Sequence, residues 1–361
     1  MVTRMKVGKV GTLGACAVVG ALGFGSVGCG SSTTEQDKVA AAMQTSLVAR
    51  LTTLHEAAIA LQAAAPTPMG RGWDKTMDAQ AFTDMKAAWI MARSAYEHVE
   101  GATAPIFSDL DVSMDERYDG FLATLGPTGD QDLFDDQGVT GMHAIERILY
   151  SDVTPATVVT FEKALPGYVP AAFPATEAQA TEFKTKLCAR LVSDSEMLLV
   201  GWTPLKIDIA SSFQGLVGLV NEQQEKVNLA ATGAEESRYS QRTMADLRDN
   251  LDGTTVIYEL FSDWLKTKPA VDGGSSGTDV DASITMGLGN LKALYGTVMG
   301  DAIPKPPVTW SAEAPSAADL ATPFGMLYEQ VHAAVDPKMA GSLVVEMNDG
   351  ATLLGIPVFT E

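Results

Sequence analysis

Residues 38–63, KVAAAMQTSLVARLTTLHEAAIALQA, decide the fold class. Val39, Met43, Leu47, Leu51, Leu54, Ala58 and Leu61 recur at intervals of three and four residues, the spacing that lines one face of an α-helix. The run APTPMGRG, 65–72, stops it with two prolines and two glycines. Working outward, the same spacing predicts helices over 78–102, 138–150 (with Thr140 as N-cap), 177–199, 216–229, 242–266, 281–299 and 317–334. In 242–266 the candidate core positions are Met244, Leu247, Leu251, Ile257, Leu260, Phe261 and Trp264. Proline-rich stretches at 155–174 and 303–315 and a Gly/Ser loop at 272–279 read as connections. No stretch alternates polar and apolar residues for long enough to predict a strand. The expectation is an all-α fold, a bundle of long helices with proline-broken connections.

Charged residues make up 19% of the 361 and hydrophobic ones 46%, a globular composition. Lys and Arg number 25 against 45 Asp and Glu, a formal charge of -20. Such a chain is ill-suited to gripping nucleic acid, and it attracts cations. Three cysteines exclude a disulfide scaffold and a Cys-rich zinc module.

The N-terminus reads as an address. Arg4, Lys6 and Lys9 precede an uncharged, Gly- and Ala-rich stretch, Val10 to Gly25, which ends at Ser26-Val27-Gly28-Cys29. This is the layout of a secretory signal, and a cysteine after small residues resembles a bacterial lipobox. Residues 1–28 are therefore expected to be a lipoprotein signal peptide. Cys29 is the expected lipidation site, and 29–37 a tether to the bilayer through an acyl anchor. An ordinary signal peptide cut nearby is the plainer alternative. Cys188, the thiol left in the folded body, is expected to be buried and inert.

Chemistry concentrates in two places. Gly141-Met-His-Ala-Ile-Glu-Arg147 sets His143 and Glu146 three residues apart, on one helix face, where an imidazole and a carboxylate can reach one ion. A lone pair of this kind is more often a plain hydrogen bond. In 78–102, Phe82, Met85, Trp89 and Tyr96 form an apolar stripe; Glu100 projects within about 20° of Trp89, with Glu97 at the stripe's edge. A carboxylate facing a core needs a partner. Either Arg93 neutralises Glu100, or Glu97 and Glu100 converge with His143 and Glu146 on a metal. Such a donor set suits iron, manganese or zinc. His55 and His98 are read as solvated or hydrogen-bonded, and His332 as lacking a carboxylate at helical spacing.

The ordered set Trp89-x-x-x-Arg93-x-x-Tyr96-Glu97-x-x-Glu100, Phe107-Ser-Asp-Leu-Asp111, Asp115-Glu-Arg117 and Gly-Met-His-Ala-Ile-Glu at 141–146 resembles the imelysin family, which includes iron-transport proteins of the EfeO/EfeM type. Arg238-Tyr-Ser240 and Asp246-Leu-Arg-Asp-Asn250-Leu-Asp-Gly253 resemble the second-half signature of that family. The resemblance implies a two-lobed helical bundle, here 38–205 and 206–361, with a metal site in the cleft. It implies His143 and Glu146 as metal ligands, and Glu97, Glu100 and Asp115 as further ligands or supporting groups. Gln241 departs from the His that iron-transport relatives often carry after Tyr-Ser, which puts any metal contact from the second lobe in doubt.

The function expected on this basis is a lipid-anchored, metal-binding protein of the bacterial cell envelope, on the periplasmic side or at the outer membrane, in iron acquisition. Its cofactor or cargo would be an iron or zinc ion or a small metal chelate, and its protein partner a membrane permease or receptor. The alternatives are a metallopeptidase using the same site and an interaction lipoprotein that no longer binds metal.

Overall fold

The computed structural model describes residues 34–271 and 273–360. The expected signal segment 1–28, Cys29 and the tether up to residue 33 lie outside the described residues.

Helices account for all the regular structure among the described residues. In chain order, the first half holds α1 (Glu35–Ala64), α2 (Ala79–Glu97), α3 (Glu100–Thr103), α4 (Ser108–Asp115), α5 (Tyr118–Leu125), α6 (Gly141–Leu149) and α7 (Ala156–Lys163). There follow α8 (Glu177–Glu182), a π turn (Phe183–Leu187), α9 (Cys188–Trp202), α10 (Ile209–Leu229) and α11 (Thr243–Lys266). The chain ends with α12 (Gly277–Gly296), α13 (Ala317–Leu320), α14 (Pro323–Val335) and α15 (Leu343–Leu354). No helix among them is long and apolar enough to cross a membrane.

The apolar stripe of α1 is buried along its length, from Val39 through Leu61, and packs against α2 and α9. Each fully buried leucine in it contributes about 2 kcal/mol. The helix begins three residues earlier than its hydrophobic spacing predicts. Glu35 and Asp37 lie in the first turn, where carboxylates favour the positive end of the helix dipole. The last residues of the expected tether are therefore helical. Cys188 is fully buried, and burial pushes its thiol pKa up. Further on, α10 packs against α3, α11, α14 and α15, while α11 packs against α1, α2 and α12. The position 205/206 falls in the connection between α9 and α10.

Two features depart from the predicted helices near the chemistry. The helix expected over 78–102 breaks after Glu97: Val99 has φ -122° and ψ -14°, and α3 starts at Glu100. The break faces Gly253 of α11, where a Cβ would lie 2.3 Å from His98 O, so only glycine admits this approach of the two backbones. Thr140 occupies the N-cap position of α6 but makes no capping bond. Its hydroxyl instead donates to Ser113 O at 2.9 Å, tying α6 to α4. The helix α15, which no motif announced, is delimited by Ser342, whose side chain accepts from Val345 N–H, and by Gly355 in a left-handed conformation.

Candidate metal centre

The centre forms where α2, α4, α6, the 233–242 turn and α11 meet. Gly141 sets the position of α6. Its φ is +79°, and a Cβ there would stand 2.3 Å from Met114 O. The start of α6 can therefore press against the end of α4, the turn that carries Asp115. Trp89 Nε1 donates to Met142 O at 2.9 Å and holds α2 to the same helix end. His143 and Glu146, 1% and 0% exposed, thus face inward.

His143 Nδ1 lies 3.2 Å from Glu146 Oε2. Glu146 Oε1 accepts the backbone N–H groups of Tyr239 (3.1 Å) and Ser240 (2.8 Å). Burial raises the Glu146 carboxyl to about 8, and the Ser240 bonds work against that rise. On the other side of the ring, His143 Nε2 lies 3.5 Å from Asp115 Oδ1 and has no hydrogen-bond partner. Burial, reinforced by Arg93, holds the imidazole well below its usual pKa, so the ring is neutral and its lone pair is available.

Donor atoms of Asp115, His143 and Glu236 lie within 4.8 Å of one another, and so do those of Glu97, Glu100 and Asp115. Asp115 belongs to both groups. Glu146 belongs to neither, because its oxygens face His143 and the two amides. Glu236 comes from the second half of the chain. Its sequence signal was the acidic pair Glu235-Glu236 just ahead of Arg238-Tyr-Ser240, which has no helical periodicity to set it apart. Gln241 itself faces away: its amide donates to Glu235 Oε1 and to Arg238 O.

Arg93 is the centre's internal cation, 1% exposed. Its guanidinium forms ion pairs with Glu97 and Asp115, lies 3.2 Å from Glu236 Oε1, and brings Nε to 3.5 Å from Asp246 Oδ2. Arg93 thus pairs with Glu97, not with Glu100 as the continuous-helix projection suggested. The break at Val99 turns Glu100 toward the cleft, where Asn250 Nδ2 donates to its Oε2 at 2.9 Å. Glu97 is the fully buried one of the two, and neither of its oxygens accepts a hydrogen bond. Burial raises Glu97 and Asp115 well above the carboxylate range against the pull of Arg93, and raises Asp246 to about 6. Glu236 goes the other way. Burial would raise it, but Lys226, whose Nζ is 2.9 Å from Oε2, and Arg93 together hold it low.

A cleft of about 330 Å³ leads to the centre. Its wall carries Glu100, Asp111, Asp115, Glu222 and Glu236, with Lys226 as a counter-charge. One neutral imidazole nitrogen without a partner, flanked by two carboxylates, is a hard, three-ligand donor set that fits iron, manganese or zinc and leaves coordination positions open.

The remaining histidines have ordinary partners. His55 Nδ1 is 3.2 Å from Ser195 Oγ, and His98 Nδ1 is 2.7 Å from Ser94 O. His332 does have a carboxylate at helical spacing, Asp336, at 3.5 Å.

These observations define an all-α protein with a buried histidine–carboxylate centre between helices. The chain belongs to the imelysin family, whose model, described as Imelysin, matches residues 40–305. Among curated proteins it is similar to "Iron uptake system component EfeO" of Escherichia coli K12 and of Shigella flexneri, each 25% identical over 198 residues. The protein of the same name from Escherichia coli O6:H1 (strain CFT073) is 26% identical over 198 residues. Each match covers 52% of this chain and 42% of the relative, so the chain matches less than half the length of these proteins. Among solved structures, an imelysin-like protein from Psychrobacter arcticum 273-4 superposes with a TM-score of 0.53 at 14% identity, covering 90% of this chain and 97% of that one. At that identity the likeness is one of fold.

Proposed function

We propose that this protein binds a metal cation for iron acquisition, taking the ion through the acidic cleft onto His143 Nε2, Asp115 and Glu236. Glu97 and Glu100 extend the oxygen-rich surface around Asp115, and Glu146 orients the imidazole. The single observation that carries this reading is the His143 Nε2 atom, buried without a hydrogen-bond partner beside two carboxylates. The iron-uptake relatives make iron the cargo to test first, with zinc as its competitor for the nitrogen ligand. In this reading Cys29 is acylated, the chain sits in the bacterial cell envelope, the halves 38–205 and 206–361 act as lobes flanking the cleft, and a membrane permease receives the metal.

Calorimetric titration with Fe(II) under anaerobic conditions, and separately with Zn(II), tests the site. Binding at one equivalent or more is expected, weakened at least a hundredfold in His143→Ala and in Asp115→Asn. No binding, or binding unchanged in both variants, removes the reading.

A further inference from the structure

Gln241 is the one residue other than glycine with a left-handed backbone among the described residues, at φ 57°. A side chain enters that region at a cost that its surroundings must offset. Here the offset is local. The Gln241 amide donates to Glu235 Oε1 at 2.6 Å and to Arg238 O at 2.8 Å. Arg242 N–H returns to Ser237 O at 3.2 Å. These bonds close 235–242 into a compact turn immediately before α11. The two N–H groups that precede Gln241, those of Tyr239 and Ser240, both reach Glu146 Oε1. The other Glu146 oxygen faces His143 Nδ1.

We propose that Gln241 is a positioning residue for His143: its left-handed turn aims the Tyr239 and Ser240 amides at Glu146, and Glu146 holds the imidazole with its proton on Nδ1 and the Nε2 lone pair toward Asp115 and Glu236. A carboxylate that grips one ring nitrogen fixes both the ring's rotation and which nitrogen is left to act as donor. The chain of contacts runs from a backbone conformation in the second half of the sequence to a side chain 98 positions earlier, through two amides and one carboxylate. The consequence for metal affinity rests on the function proposed above; the placement of the ring proton does not.

The test uses the full chain with ¹⁵N-labelled histidine. A long-range ¹H–¹⁵N spectrum reports which ring nitrogen is protonated, and with four histidines His143→Ala identifies the relevant signals. In spectra recorded at pH 9, where the Glu146 carboxyl, raised to about 8, is ionised and can only accept, the wild type is expected to carry the proton on Nδ1. Gln241→Ala loses the side-chain bonds and disfavours the left-handed backbone. Gln241→Gly loses the bonds alone, and Gln241→Asn keeps an amide on a residue that tolerates this conformation. The Ala variant is expected to show a mixture of both tautomers and at least tenfold weaker Zn(II) binding. The Asn variant is expected to stay within threefold of wild type, with Gly between them. A proton on Nε2 in the wild type, or wild-type His143 signals in a folded Ala variant, overturns the proposal. Should the Ala variant not fold, the Gly variant, which also loses the side-chain bonds, takes its place, and His143 signals there identical to the wild type overturn the proposal. A wild type that takes up no Zn(II) while the tautomer series holds removes the metal reading and leaves the positioning role standing.

Discussion

Arg93 and Glu97, one turn apart on α2 and both buried, form an ion pair in the middle of the candidate metal centre. The guanidinium also meets Asp115, Glu236 and Asp246. The carboxylates that gather there are therefore kept together by a covalently attached cation. A buried charge that loses its partner is costly, while a well-paired one is close to neutral in its effect on stability.

Removing that cation should be severe. Arg93→Met is expected to lower stability by about 3–5 kcal/mol, because it strands buried carboxylates without a counter-charge. Urea unfolding measures it. Saturating Zn(II) should raise the melting temperature of this variant more than that of the wild type, since the metal then supplies the missing positive charge. An equal or smaller rise would show that Arg93 and the metal do not share carboxylates.

Gly141→Ala tests the approach of α6 to α4. The added Cβ meets Met114 O at 2.3 Å, and the φ of +79° is disfavoured for alanine. Destabilisation of about 1–3 kcal/mol is expected, with weaker Zn(II) binding, because His143 moves away from Asp115. Binding that survives unchanged would mean that the spacing of the two helices does not set the site.

Asn250→Ala removes three bonds at once, those its amide donates to Glu97 O at 3.1 Å and to Glu100 Oε2 at 2.9 Å and the one its Oδ1 accepts from Lys226 Nζ at 3.4 Å. A loss of about 1–3 kcal/mol is expected, measured by chemical unfolding. Because Glu100 lies in the group with Glu97 and Asp115 and not in the group with His143, Zn(II) affinity should fall by less than in His143→Ala.

The centre should also make stability and metal affinity respond oppositely to pH. Glu146 at about 8 and Asp246 at about 6 are raised above their unfolded values. Their contributions to the stability of the metal-free protein are complete below the unfolded values. They fade as pH rises toward 6 for Asp246 and toward 8 for Glu146. Glu236 is lowered, so its contribution is present above its unfolded value and is lost as the solution is made more acidic. Metal needs its ligands deprotonated, and the carboxyl of Asp115, one of the proposed ligands, is raised well above its ordinary value by burial. Zn(II) affinity should therefore increase from pH 5.5 to 8, with proton release visible as a dependence of the calorimetric heat on the buffer. A flat affinity over that range would contradict the assignment.

Much of this was legible in the chain. The stripe from Val39 to Leu61 and that from Phe82 to Tyr96 are buried as their spacing predicts. His143 and Glu146 meet because three residues on a helix is a fixed geometric relation, whatever surrounds it. The helix break at Val99 was not legible, since nothing in the local spacing interrupts 78–102. It forms opposite Gly253, a residue about 150 positions away, and it reverses which of Glu97 and Glu100 is buried.

By itself, then, the sequence determined the long helices, but not α4, α5, α7 and α15, and the one candidate ligand pair that lies within a single turn, because helical periodicity is a property of neighbours along the chain. Only the tertiary structure decided that Glu236 joins His143 and Asp115, that the amides of Tyr239 and Ser240 hold Glu146, and that Arg93 is the cation around which the carboxylates collect. Those relations depend on how closely whole helices approach, and that distance is set at glycines such as Gly141 and Gly253 by contacts between residues far apart in the chain.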